Sequence, residues 1–176
     1  GETWFLTLGM TLLLMVMPWL PPKRIAPAAE VNLSHCNGCG QCFEDCPFDA
    51  ISIHPRSDGA RWAKEAVVYP HLCAACGICV GSCPYSNPFR RAEQRLTTGI
   101  DMPEFPVHNI REATDRGLAS LRQSPGTALE ETVKILVFGC NHSFAVAELN
   151  LPGVVTVKLA CTGMLPPAFI DYALKK

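Results

Sequence analysis

The chain has 176 residues, enough for one or two small domains, and its hydrophobic content of 48% is ordinary for a globular protein. Its formal net charge is −1 and no dense basic stretch occurs, so nucleic acid is excluded as a partner. The chain begins with glycine rather than methionine, which is consistent with an upstream portion that is missing.

A transmembrane helix is the first predicted element, within residues 1–24. The sequence from Thr3 to Pro22 has no charged residue, and a helix needs about 20 apolar residues to cross a bilayer. A tryptophan lies near each end of this stretch, and the basic pair Lys23 and Arg24 follows it. By the positive-inside rule this end lies in the cytoplasm. We therefore expect a single-pass protein of the inner (cytoplasmic) membrane, in contact with the lipid bilayer.

A cleaved signal peptide and a buried core helix are the alternatives for this stretch. A signal peptide requires positive charge before its apolar run and a small-residue cleavage site after it, whereas Glu2 precedes this run and Pro-Pro-Lys-Arg follows it. Residues 21–30 have three prolines among alanines and predict a stiff extended spacer, assigned to residues 25–30, that holds the next domain close to the membrane.

One cysteine pattern then occurs twice, with cysteines at positions i, i+3, i+6 and i+10 and a proline directly after the fourth. Such a run is the ligand pattern of a four-iron cluster, because three cysteines at this spacing let one tight loop hold three corners of the cube. Glycines between the cysteines accept the backbone angles of a tight loop. The fourth cysteine cannot close on the same cube while the chain continues forward. The candidate ligands are Cys36, Cys39, Cys42, Cys46, Cys73, Cys76, Cys79 and Cys83.

A zinc site and a disulfide framework are the alternatives for these cysteines. Zinc needs four ligands in one tetrahedron and leaves the other four thiols without a use. Disulfides require an oxidising compartment and do not explain two copies of the same spacing.

The two cysteine runs resemble a bacterial-type dicluster ferredoxin domain, over about residues 31–89. The resemblance implies two [4Fe-4S] clusters, with the fourth cysteine of each run bound to the other cluster. It therefore implies that Cys36, Cys39, Cys42 and Cys83 hold one cluster, and that Cys73, Cys76, Cys79 and Cys46 hold the second.

Two strands are predicted inside this domain, and a helix beyond it. Asp49–His54 alternates apolar and polar residues and Ala66–Tyr69 is a second candidate strand, with a turn at Arg56–Gly59 between them. Residues 90–131 are predicted to be a connector that lies against a partner or the ferredoxin domain. Within it, Asn109–Arg122 has the apolar spacing of an amphipathic helix.

The last segment, residues 132–176, has the pattern of a parallel α/β unit. Strands are predicted at Val133–Phe138 and Val154–Leu159, with a short helical crossover near Ser143–Asn150 and a helix from Pro166 to the end. This β-α-β-α order predicts a partial α/β domain, which makes the whole chain α+β. Each strand is followed closely by a cysteine, and ligands bind at this edge of parallel sheets. The two cysteines are Cys140 and Cys161.

This segment resembles the iron–sulfur delta subunit of methyl-viologen-reducing hydrogenase and the matching domain of heterodisulfide reductase systems. The resemblance rests on Phe138–Asn141 and on Ala160–Pro167, and it implies a [2Fe-2S] cluster with Cys140 and Cys161 among its ligands. Gly139 and Ser143 depart from the family, because cysteine can occupy both places there. Unliganded buried thiols, or a degenerate docking domain, are therefore the preferred interpretation.

Electron transfer is the function that these features predict. The sequence has no phosphate loop, dinucleotide fingerprint, Ser-His-Asp grouping or zinc-protease helix, so independent catalysis is not expected. The first hypothesis is an iron–sulfur subunit of a membrane oxidoreductase complex. It would relay single electrons between a cytoplasmic redox partner protein and a membrane-embedded quinone-reactive or cytochrome b subunit. The apolar helix followed by Pro-Trp-Leu-Pro-Pro and a dicluster ferredoxin resembles subunits of cytochrome b-type complexes. A docking module of a soluble hydrogenase- or heterodisulfide-reductase-like enzyme, and a mainly structural subunit, are the alternatives.

Overall fold

The computed structural model describes residues 2–16, 26–90, 96–123, 133–140, 151 and 153–176. The described residues form five helices, six short strands and one 3₁₀ turn. In chain order these are α1 Glu2–Val16, β1 Glu30–Val31, α2 Gln41–Glu44, β2 Ile51–Pro55, β3 Lys64–Val68, α3 Ile78–Ser82, β4 Ile100–Asp101, α4 Val107–Gln123, β5 Ile135–Cys140, β6 Val154–Leu159, the 3₁₀ turn Thr162–Met164 and α5 Ala168–Leu174.

Helix α1 corrects the prediction of a transmembrane segment. It has 15 residues, and at 1.5 Å per residue it is about 22 Å long, whereas the hydrocarbon core of a bilayer is about 30 Å thick. Over the described ranges, no helix combines the length and the apolar character that a membrane span requires. The predicted transmembrane helix, and the inner-membrane location that rested on it, are therefore wrong. The alternative of a core helix is not seen either, since large side chains such as Trp4 and Phe5 are exposed.

The middle of the chain consists of two short helices and two antiparallel strand pairs. Strands β2 and β3 form a hairpin in which Ile51 pairs with Val68 and Pro55 pairs with Lys64. This confirms the two strands expected from their alternating pattern. Strands β1 and β4 form a second antiparallel pair, which joins residues before the first cysteine motif to residues after the second. The sequence pattern did not predict this pairing.

Helix α4 confirms the amphipathic helix expected in the connector. It begins two residues before the predicted start, and it buries Val107, Ile110, Gly117 and Leu121 along one face. A Cβ added at Gly117 would lie 2.9 Å from Cγ1 of Val155. The absence of a side chain at Gly117 therefore lets α4 lie close to the β5–β6 sheet.

The last segment contains the predicted parallel strand pair. Strands β5 and β6 pair in parallel from Ile135 opposite Val154 to Cys140 opposite Leu159. The observed β5 begins and ends two residues later than its predicted range. The expected crossover helix at residues 143–150 lies outside the described residues, and helix α5 follows the 3₁₀ turn.

One core joins this last segment to the middle of the chain. Val157, Leu159, Met164 and Phe169 are fully buried in the same cluster as residues of the segment 31–89, which we refer to as the ferredoxin-like part, such as Val80. Helix α3 packs directly against the 3₁₀ turn. The two parts share this core. The domain boundary predicted between residues 131 and 132 stays a prediction.

Candidate metal centre

The first of two buried cavities is lined by cysteines from both motifs. Its volume is about 330 Å³, and three of its cysteines come from the first motif while Cys83 comes from the second. Most of its other lining residues are apolar or glycine, including Ile53, Ala66 and Ile100. The cysteines are Cys36, Cys39, Cys42 and Cys83. We refer to this space as the first cavity.

The second cavity has the same construction with the motifs exchanged. Its volume is also about 330 Å³, and its apolar lining includes Phe48, Ile51, Val68 and Met102. Three of its cysteines come from the second motif and one from the first. They are Cys73, Cys76, Cys79 and Cys46. The structure therefore brings all eight predicted ligands together in two groups of four, in the grouping that the ferredoxin resemblance implied.

Left-handed backbone angles give each motif its tight loop. Gly38 and Gly40 have φ of 67° and 89° in the first loop, and Ala75 and Gly77 have φ of 55° and 77° at the equivalent positions of the second. Gly40 and Gly77 directly precede α2 and α3, whose first turns carry the third cysteine of each motif. The repeated backbone turns three thiols of each loop toward one cavity.

Burial raises the pKa of the third cysteine thiol of each motif. Burial, and then the neighbouring thiols of Cys36, Cys39 and Cys83, raise the pKa of Cys42 to about 12. Burial and the nearby thiols of Cys42, Cys76 and Cys73 likewise raise the pKa of Cys79 to about 12. The thiol of Cys42, in the first cavity, is thus one of the groups that raise the pKa of Cys79, in the second cavity.

The donor set fits an iron–sulfur cluster in each cavity. Thiolates are the ligands that these clusters use, and iron stabilises the deprotonated form that burial alone disfavours. The apolar lining keeps water from the cluster, a condition that together with hydrogen bonding determines its potential.

The remaining two cysteines occupy different surroundings. Cys140 ends β5, and Cys161 lies two residues beyond the end of β6. Cys161 also lies near the second cavity, where burial and then the thiols of Cys161, Cys46 and Cys73 raise the pKa of Cys76. In the part of the chain that the structure describes, no group of three or more His, Cys, Asp or Glu residues is placed to hold a single metal ion. A third site at Cys140 and Cys161 stays a prediction.

Two charged residues beside the first motif and α4 were not identified from the sequence. Arg56 was assigned only to a turn, yet its guanidinium contacts the backbone carbonyl of Cys36 at 2.6 Å. Asp101 was placed in no element, yet its carboxylate accepts the N–H of Val107 at the start of α4, at 2.9 Å. Neither contact has a local signal in the sequence, except that an acidic residue shortly before a helix is a known capping pattern.

A comparison with known protein families supports the cofactor. Residues 35–87 match the family described as 4Fe-4S dicluster domain. No curated protein and no solved structure matches the chain. The matched segment supports a ferredoxin-type iron–sulfur protein with [4Fe-4S] clusters as its cofactors and an electron-transfer role.

Proposed function

We propose that the chain is an electron-transfer subunit of an oxidoreductase complex, which relays single electrons between two redox partners through two [4Fe-4S] clusters. The observation that carries this proposal is the pair of cavities, each lined by three cysteines of one motif and one of the other. A [4Fe-4S] cluster supplies the capacity to take up and release one electron. The protein holds the clusters side by side and surrounds them with apolar side chains.

The proposed ligands follow the cavity linings. Cys36, Cys39, Cys42 and Cys83 hold the first cluster, in the first cavity, and the cysteines of the second cavity hold the second cluster. Each cavity takes one cysteine from the motif that supplies the other three cysteines of its neighbour, so the two motifs hold both proposed clusters in one unit. A soluble redox protein is the proposed partner on one side. A quinone-reactive or cytochrome b subunit on the other side rests on sequence resemblance alone.

Metal analysis with electron paramagnetic resonance tests the proposal. The anaerobically purified chain is expected to contain about eight irons and eight acid-labile sulfides, and to give two interacting cubane signals when reduced. About four irons, or signals that do not change on reduction by a redox partner, would contradict a two-cluster relay and favour a mainly structural role.

The ligand grouping is tested by single cysteine variants. Cys83→Ser is expected to alter the same cluster signal as Cys36→Ser, because both side chains line the first cavity. Cys46→Ser is expected to alter the other signal, together with Cys76→Ser. The grouping fails if Cys83→Ser instead affects the signal that Cys76→Ser affects.

A further inference from the structure

The first residue after β2 connects the hairpin to the first cysteine motif. The Arg56 side chain is only 4% exposed. Its Nη1 donates to the carbonyl oxygen of Cys36 at 2.6 Å, and its Nη2 donates to the carbonyl oxygen of Leu33. One guanidinium therefore binds two carbonyl groups within residues 33–36, the segment that ends at the first cysteine ligand.

The same end of the hairpin supports the loop from a second direction. A Cβ added at Gly38 would lie 2.4 Å from the carbonyl oxygen of Lys64, the first residue of β3. The loop of the first motif thus packs directly against the hairpin backbone at Gly38. Arg56 adds two hydrogen bonds from the hairpin to the same segment.

The positive charge of Arg56 has a defined counter-charge. Arg56 Nε contacts Asp58 Oδ1 at 2.5 Å, and Nη2 contacts Oδ2 at 2.8 Å. The buried carboxylate of Glu65 lies in the same hairpin and accepts the N–H and hydroxyl of Ser57. The guanidinium faces the first motif while Asp58, about a third exposed, lies on its other side.

The second motif has no counterpart of this contact in the described residues. The N–H of Cys73 donates to the carbonyl of Tyr69, and across the described ranges no arginine or lysine side chain is hydrogen-bonded to the Cys73 carbonyl. Within the described residues, the two cavities are alike in volume and cysteine content and differ in this hydrogen-bonded guanidinium.

We propose that Arg56 is a positioning residue that fixes the first motif and raises the reduction potential of the first cluster relative to the second. This inference rests on the proposed function, because it requires a cluster in the first cavity. Reduction adds a negative charge to the cluster, and a nearby permanent cation stabilises the reduced form. Arginine remains protonated at all relevant pH values. Asp58 reduces this effect because it partly neutralises the guanidinium.

A redox titration of the full chain with both clusters tests this role. Arg56→Gln is expected to lower the midpoint potential of one cluster and to leave that of the other unchanged. Asp58→Asn is expected to raise the potential of the same cluster, because the guanidinium loses its counter-charge. Arg56→Lys keeps the positive charge but cannot donate to both carbonyl groups. The midpoint potential of that cluster should therefore stay close to the wild-type value, while the melting temperature falls.

The matched control is Arg61→Gln, in the same hairpin. Arg61 is exposed and stacks over the Trp62 ring at 4.8 Å, so its removal changes the net charge equally and should change neither potential. The inference is overturned if Arg56→Gln and Arg61→Gln shift both clusters alike, or if Asp58→Asn shifts none. If Arg56→Gln does not bind iron, the midpoint potentials of Asp58→Asn provide the test. Wild-type iron content separates the two proposals, since about eight irons without these shifts would contradict only the role of Arg56.

Discussion

At the scale of single residues, Gly38 shows how close packing restricts a position more than backbone angle does. Ala75 occupies the equivalent place in the second motif with φ of 55°, so a left-handed angle by itself admits alanine there. At Gly38 a Cβ would also collide with the carbonyl of Lys64, at 2.4 Å. The glycine in the first motif is therefore required by the hairpin beneath it.

Substitution of Gly38 is expected to damage the first cluster specifically. Gly38→Ala should destabilise the protein by more than the roughly 1–2 kcal/mol cost of a left-handed alanine, and iron content should fall toward about four per chain. Gly40→Ala is the matched control, because Gly40 has φ of 89° but open space around its Cβ position. Equal losses of iron and of melting temperature in the two variants would contradict the collision with Lys64.

At the scale of elements, Asp101 fixes the start of α4. Its Oδ1 accepts the N–H groups of Met102 and Val107, each at 2.9 Å. Asp101→Ala leaves these donors without their acceptor and should lower the free energy of unfolding by about 1–2 kcal/mol. Asp101→Asn keeps an acceptor oxygen and should recover most of the loss. Thermal unfolding measured by circular dichroism compares the variants, and equal destabilisation by Ala and Asn would contradict the capping role.

The half-buried carboxyl of Asp101 also predicts a dependence on pH. Burial raises the pKa of Asp101 above its ordinary value of 3.8, although its backbone donors and His108 act in the opposite direction. Because the folded state binds this proton more tightly, the contribution to stability is fully present below the ordinary pKa and is lost as pH rises through the raised value. The melting temperature of Asp101→Asn relative to the wild type should therefore increase from acidic to neutral pH. A constant difference across that range would contradict the prediction.

At the scale of the whole molecule, one backbone contact joins the last segment to the ferredoxin-like part. A Cβ added at Gly81 in α3 would lie 2.3 Å from the carbonyl oxygen of Gly163 in the 3₁₀ turn. Met164 packs close to Gly77 at the beginning of the same helix. The last segment therefore lies against the helix that carries Cys79, beside the second cavity.

Substitution of Gly81 is expected to separate these parts. Alanine normally stabilises a helix relative to glycine by about 0.5–1 kcal/mol, so a loss in Gly81→Ala would come from overpacking, which costs roughly 1–3 kcal/mol. Hydrogen exchange should accelerate in β6 and α5 and stay unchanged in the β2–β3 hairpin. Ser82→Ala, in the same helix, removes only a bond to the Ile78 carbonyl and should leave β6 protected. Unchanged exchange in Gly81→Ala would contradict the contact.

The length of α1 shows where counting apolar residues misleads. The apolar stretch from Thr3 to Pro22 was interpreted as one span, but α1 ends at Val16. The proline at position 18 is a sequence signal against one helix through the whole stretch, because the residue before a proline disfavours the helical region.

The sequence by itself determined the [4Fe-4S] cofactor, the β2–β3 hairpin and α4, and it predicted as ligands the eight cysteines that line the two cavities. Each of these depends on spacing within a few residues, because a tight loop or one face of a helix is defined locally. Only the tertiary structure decided that Arg56 reaches Cys36, that Gly81 meets Gly163, and that Cys161 lies near the second cavity. These contacts join residues far apart in the chain, and such contacts leave no periodic pattern in the sequence.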